Sequence, residues 1–367
     1  MIYLDAAATT LEKPVGVHSA VIQALQAMSS PGRGNYPASH LAEETAFCCR
    51  SEAAALFGVD SPEKVIFTFN ATHGLNIAIR SLVKPGGRVI ISGYEHNAVT
   101  RPIHALEGVE IVVIDTPLFC PAQMTNEFAR ALERGADAVV CTHVSNVFGY
   151  ILPVGEMAKL CREYRVPFIV DAAQSAGMLP LKLGELGADF IAMPGHKGLL
   201  GPQGTGLLLC GRLPEPLMMG GTGSHSKEQA MPDFLPDRAE AGTLNVPGIA
   251  GLSMGMRYVN QLGTEQILRR QCRQRAFCQK ALEALGFRVF AGAHQSGTLS
   301  FHPGMDPQEA AFRLAKRGIA VRAGFHCAPL AHESAGTLET GTLRLSFGHD
   351  ACDRQSRAFL RAVKKLR

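Results

Sequence analysis

Between residues 63 and 210 short apolar runs alternate with helical patterns, which lie between most of the runs. The runs are KVIFTF, RVIIS, EIVVID, DAVVCTH, PFIVD, DFIAM and GLLLC. Their length and flanking turn residues read as strands buried on both faces. The stretches between them include 72–83, opened by Asn70 as an N-cap, and 155–165. Such alternation predicts a mostly parallel, seven-stranded sheet covered by helices on both faces, so the expected class is α/β.

Beyond this block the pattern changes. Residues 211–248 are rich in Gly and Pro, and helical patterns near 248–261 and 264–285 read as a connector. GTLSFH, the helix PQEAAFRLAKRG, the strand IAVRA, the strand TLRLSFG and a last helix then form a smaller α+β unit. The expected division is a large domain over 15–255 and a small domain made of 1–14 and 256–367. A chain of 367 residues accommodates both.

Composition narrows the function classes. Hydrophobic residues at 46% and charged residues at 19% leave no case for disorder. A net charge of +4, with no basic run interleaved with aromatics, excludes a nucleic-acid surface and favours small anionic ligands. No run of about 18 apolar residues occurs, and Asp5 stands where a signal peptide needs a basic flank, so no membrane association and a cytoplasmic location are expected. Ten scattered cysteines, with Cys48 and Cys49 adjacent in a helical pattern, read as reduced thiols. No metal site is expected, because no CxxC occurs and the group His326, Cys327, His332 lacks a second half.

In an open parallel sheet, ligands bind at the carboxyl ends of the strands. Here those ends carry Asn70-Ala71-Thr72-His73, His96, Asn146, Asp171 with Gln174, and finally His196-Lys197 in the segment IAMPGHKGLLGPQGTG. Singly, each is ordinary loop decoration or a helix cap; together they match the needs of one cofactor. Pyridoxal 5'-phosphate requires a lysine for a Schiff base, an acid beside the pyridine nitrogen, a stacking ring and a helix N-terminus for the phosphate. Lys197, Asp171, His96 and Thr72 suit these roles, and the glycines around Lys197 are expected to leave room for ring and phosphate.

The motifs YLDAAATT, EHNAV, VDAAQSAG, GHKGLLGPQGTG, EAGTLN, RAGFHCAPLAH and LRLSFG, in this order from residue 3 to about 348, resemble the cysteine desulfurase and selenocysteine lyase family of the class V aminotransferase group. The resemblance implies the fold-type-I architecture of pyridoxal-phosphate enzymes and a homodimer. It implies that Lys197 carries the cofactor, Asp171 meets the pyridine nitrogen, Gln174 and Asn146 lie near the ring hydroxyl, and His96 stacks on the ring. Ala71, Thr72 and His196 would hold the phosphate, with Thr243 reaching in from the second subunit. Arg344 would grip the substrate carboxylate, with Asn146 and Arg322 in the same substrate-binding set.

The resemblance further makes Cys327, on a loop expected to be mobile, the sulfur acceptor. L-Cysteine would give L-alanine and a Cys327 persulfide, with Lys197 as the base, His96 as a proton donor, and a sulfur-acceptor protein downstream. Arg322 and His326 are expected to favour the Cys327 thiolate by positive charge. Two positions depart from the family pattern: Pro194 stands where a phosphate-binding serine is usual, and NATH replaces a GTTE-like sequence. Asn70 and Ser224 are the expected compensating donors. The alternatives are a selenocysteine lyase using the same residues, another class V activity such as an aminotransferase or epimerase with Cys327 incidental, and a non-catalytic carrier that keeps the fold.

Overall fold

The computed structural model describes residues 1–32 and 34–366. Its strands, in chain order, are β1 (Ile2–Tyr3), β2 (Val65–Thr68), β3 (Arg88–Ser92), β4 (Glu110–Ile114), β5 (Ala138–Thr142), β6 (Phe168–Asp171), β7 (Phe190–Pro194), β8 (Gly206–Cys210), β9 (Arg288–Phe290), β10 (Thr298–His302), β11 (Ile319–Ala320), β12 (Arg322–Gly324) and β13 (Thr342–Ser346). All seven runs foreseen between 63 and 210 are strands of one sheet, ordered β2-β8-β7-β6-β5-β3-β4. Only β8 runs against its neighbours β2 and β7. The reason is the 195–205 connection: a parallel return needs a crossover of about a dozen residues or more, usually a helix, and this segment holds none.

Away from its β4 edge the sheet is buried on both sides. β2, β5, β6, β7 and β8 are buried at every position, whereas β4, at the edge, is largely open. Alternate residues feed opposite cores, as a two-residue repeat requires. Val139 and Cys141 pack on one face with Phe128, Phe148 and Phe168, while Ala138 and Val140 pack on the other with Ile79 and Ile103. The foreseen helices fall at Ala71–Leu82 and Val154–Tyr164, each displaced by one residue, and Cys48 and Cys49 lie in Pro37–Phe57.

After the long helices Val246–Leu262 and Thr264–Ala284, a four-stranded antiparallel sheet, β12-β13-β10-β9, covers a third core built from Leu4, Leu299, Phe301, Leu345 and Phe359. One local expectation is corrected here. IAVRA is not a single strand: Ile319–Ala320 pairs in parallel with β1, and Arg322–Gly324 pairs with β13. The partner of its first half is the amino terminus of the chain, which no local pattern around residue 320 announces.

The ten cysteines are all free thiols. No described helix is long and apolar enough to cross a membrane.

Candidate active site

Asp171 is the last residue of β6, and its register partner on β7 is Ala192. Lys197 follows three residues after the end of β7, so acid and amine come from adjacent strand ends. Between them lies a cavity whose walls include Ala71, Thr72, His96, Asn146, Asp171, Gln174, His196 and Lys197. The foreseen strand-end residues other than His73 thus line one cavity. Thr243 does not join them: it lines separate pockets with Phe69, His73 and Glu240.

Burial sets the electrostatics. The Lys197 ammonium is lowered to about 8 by burial, with Asp171 opposing the shift. Asp171 is 2% exposed; one carboxylate oxygen accepts from the Ala173 N–H at 2.8 Å, and burial pushes the acid upward. His96 is lowered to about 4, first by burial and then by the charge of Lys197, so it is a neutral imidazole at neutral pH. Its Nδ1 accepts from the Ala98 N–H at 3.0 Å, which leaves the proton on Nε2. His196, also lowered to about 4 by burial, contacts the Thr9 hydroxyl at 3.0 Å.

The helix Ala71–Leu82 begins at the cavity wall. Asn70 caps this helix by accepting from the His73 N–H at 2.9 Å. The N–H groups of Ala71 and Thr72, in the first turn, have no acceptor within the helix and are the natural anion donors. A buried acid short of partners, a buried amine of lowered basicity, a neutral imidazole and an open helix start fit a flat, phosphorylated carbonyl compound.

Three expectations change at this site. The glycines around Lys197 do not make room for a ligand: a Cβ would strike Thr205 Oγ1 at 2.1 Å from Gly195 and the Ala176 carbonyl oxygen at 2.1 Å from Gly198. They let the lysine turn pack on its own protein. Of the two expected compensating donors, Ser224 gives its hydroxyl proton to Asp237, whereas Asn70 caps the helix through its Oδ1 and lines the cavity with its Nδ2 donor uncommitted to that cap. His326 supplies no positive charge to Cys327, because burial, followed by the charge of Arg344, lowers it to about 2 and keeps it neutral. Pro194 lines the cavity without an N–H to offer.

The smaller sheet delivers the remaining groups. Arg344, on β13, is 2% exposed; its Nη1 donates to the Asn146 carbonyl at 2.8 Å and its Nη2 to Asp5 at 2.6 Å. Arg322, on β12, is its register partner. Cys327 is exposed, on a loop anchored at two points: Asn97 N–H donates to the Cys327 carbonyl and Asn146 Nδ2 to the His326 carbonyl, each at 2.7 Å. His326 and Cys327 both adopt positive φ, 50° and 57°, a strained turn that these bonds hold in place. The thiol-bearing backbone therefore docks on the residue that follows His96.

A sequence model of the class-V aminotransferases matches residues 2–359. The chain belongs to this family. A protein named "Probable cysteine desulfurase" from Methanothermobacter thermautotrophicus is 32% identical, over 94% of this chain and 89% of its own length. A cysteine desulfurase from Escherichia coli is 30% identical, over 96% and 91%. The apo structure of a cysteine desulfurase from Thermococcus onnurineus NA1 superposes with a TM-score of 0.90 at 29% identity, covering all of this class-V chain and 94% of the other. The fold is accordingly the fold-type-I α/β architecture of these class-V proteins.

Strand-end reasoning passed over residues 5–10, which contact the site, and Glu95, which is buried behind it. Thr10 donates through its hydroxyl to the Lys197 carbonyl at 2.8 Å, and Gln174 Nε2 donates to the Ala7 carbonyl at 2.9 Å. The segment YLDAAATT was a visible signal, but its place beside Lys197 is a property of the tertiary fold. Glu95, fully buried next to His96, accepts from the Ser92 hydroxyl and, at 2.8 Å, from the Thr142 N–H.

Proposed function

We propose that this chain is a pyridoxal-phosphate-dependent cysteine desulfurase, converting L-cysteine to L-alanine and leaving a persulfide on Cys327. The observation that carries the reading is the exposed Cys327 thiol on a loop docked at Asn97, next to a cavity that contains Lys197, Asp171 and His96. Relatives named for this activity align over nearly the whole chain and support it. In this reading residues 15–255 hold the cofactor, and 1–14 with 256–367 bring the arginines and the thiol.

Lys197 would hold the cofactor's carbonyl carbon, Asp171 its ring nitrogen, and the Ala71 and Thr72 N–H groups with His196 its phosphate. His96 would cover the ring, and Gln174 and Asn146 would flank the hydroxyl. When bound, pyridoxal phosphate supplies an electron sink that acidifies the substrate Cα–H. Arg344, with Asn146 and Arg322, orients the amino acid through its carboxylate. An amine titrating at about 8 is partly neutral at neutral pH, so Lys197 Nζ can take the Cα proton. The Cys327 thiolate then attacks the substrate sulfur; the S–S bond forms as the substrate's C–S bond breaks, and His96 Nε2–H supplies a proton to the carbon product.

Thr243, remote from Lys197 within one chain, would complete the neighbouring site of a homodimer. The ten free thiols suit a reducing compartment such as the cytoplasm. A downstream sulfur-acceptor protein would then receive the persulfide at the exposed rim.

The test is a product assay with L-cysteine and, in parallel, selenocysteine. Wild type should release alanine and carry a persulfide on Cys327. Cys327→Ala should retain cofactor absorbance and release no alanine from cysteine. Alanine release unaffected by Cys327→Ala would overturn the assignment, and a marked preference for selenocysteine would make the lyase the better description.

A further inference from the structure

Residues 5–10 form a strap along the candidate site. Asp5 meets Arg344, the Ala7 carbonyl accepts from Gln174, Thr9 meets the His196 ring, and Thr10 binds the Lys197 carbonyl. None of the strap residues belongs to the strand-end set, and Asp5 is the only acidic one.

A buried guanidinium needs a counter-charge and fixed hydrogen bonds to be tolerated. Arg344 has both: Asp5 Oδ1 at 2.6 Å and the Asn146 carbonyl at 2.8 Å. Arg322 approaches the other oxygen of the same carboxylate at 4.0 Å. Two guanidinium groups share one carboxylate, so the cluster carries one uncompensated positive charge, which suits one more carboxylate. The backbone holds Asp5 in place. It bridges Ser346 on β13, Ala6 N–H donates to the Ser346 carbonyl at 3.3 Å, Ala7 N–H donates to the Ser346 hydroxyl at 2.8 Å, and Tyr3 donates to the Asp5 carbonyl at 3.1 Å. A residue so tethered is a fixed counter-ion rather than a plug that substrate pushes aside.

We propose that Asp5 is the positioning residue of the substrate-carboxylate site: it fixes the orientation of the Arg344 guanidinium and sets the cluster to admit a single amino-acid carboxylate. This rests on the reading of Arg344 as the carboxylate clamp. Asp5 touches neither the reacting carbon nor the sulfur, so its removal acts on recognition and not on chemistry.

The experiment uses full-length holoenzyme as wild type, Asp5→Ala and Asp5→Asn. Three quantities are compared: KM and kcat for L-cysteine, the dissociation constant of L-alanine read from the cofactor spectrum, and that of ethylamine, which lacks a carboxylate. Asp5→Ala should raise both KM and the L-alanine constant roughly ten-fold or more, with kcat within about threefold and ethylamine unchanged. Asp5→Asn, which can still accept a hydrogen bond, should recover part of the loss. Unchanged L-alanine affinity in both variants overturns the proposal, as does equal weakening of L-alanine and ethylamine. Should Asp5→Ala fail to fold, the L-alanine to ethylamine ratio in Asp5→Asn decides alone, and an unchanged ratio overturns it. A wild-type enzyme that binds L-alanine but does not desulfurate cysteine defeats the functional reading and leaves this comparison standing.

Discussion

The floor and the rim of the candidate site are built by different means. The floor, Asp171 and Lys197, sits at the ends of adjacent strands that are buried throughout, and burial dominates the titration of both groups. The rim, Arg322, Arg344 and Cys327, comes from the smaller antiparallel sheet and the loop beyond it, where the thiol is exposed. In the proposed reaction a dry floor would suit proton removal from carbon by an amine of lowered basicity, and an exposed thiol at the rim would suit a sulfur atom that has to leave. A single sheet does not provide both, since strand ends deep enough to shift an amine are too deep to present a thiol.

The largest expected effect breaks the floor. Lys197→Ala should abolish the visible absorbance of bound cofactor and reduce turnover by roughly four orders of magnitude or more, measured by spectroscopy and alanine release. Retained absorbance would remove Lys197 from the floor altogether. Cys327→Ala, on the rim, should leave that absorbance intact.

A smaller effect sharpens the same contrast. Cofactor capture needs the neutral amine, so its rate in cofactor-free protein should follow deprotonation of Lys197 at about 8. Between pH 7 and pH 9 the rate should rise roughly ten-fold and level off, whereas a lysine with the ordinary value of about 10.4 would give a rise of roughly a hundred-fold with no plateau. Stopped-flow mixing across this range distinguishes the two.

The smallest effect probes the layer under the floor. Glu95 is raised to about 8, chiefly by burial, with the hydrogen bonds from Ser92 and Thr142 pulling the other way. Folded protein therefore holds a proton that the unfolded chain releases near 4.5, and stability falls as pH rises from about 4.5 through about 8. Glu95→Gln removes this contribution and should narrow the gap between Tm at pH 5 and Tm at pH 8 by a few degrees, read by thermal melts of cofactor-free protein. An unchanged gap would mean that Glu95 is not a buried neutral acid.

Much of the floor was legible beforehand because each of its residues follows a local signal. An apolar run ends, and Asp171, His96 or His196-Lys197 comes next; the rule that ligands gather at strand ends does the rest. The rim was harder to read. Arg344 lies inside a strand, where an arginine usually faces solvent, and only the resemblance to a family assigned it a role. Its burial and its pairing with Asp5 join opposite ends of the chain, and no window of sequence contains both. The charge expected from His326 failed for the same kind of reason, since its neutrality follows first from burial and then from the charges of Arg344 and His332.

The sequence by itself determined the seven-stranded sheet, the direction of most of its strands and the identity of the groups at its edge, because apolar period and connection length act locally. Tertiary structure alone decided that residues 5–10 strap the site, that the lysine glycines serve protein packing, and how far each titrating group is shifted. Those outcomes depend on desolvation and on contacts between residues distant in the chain, which exist only once the two sheets are brought together.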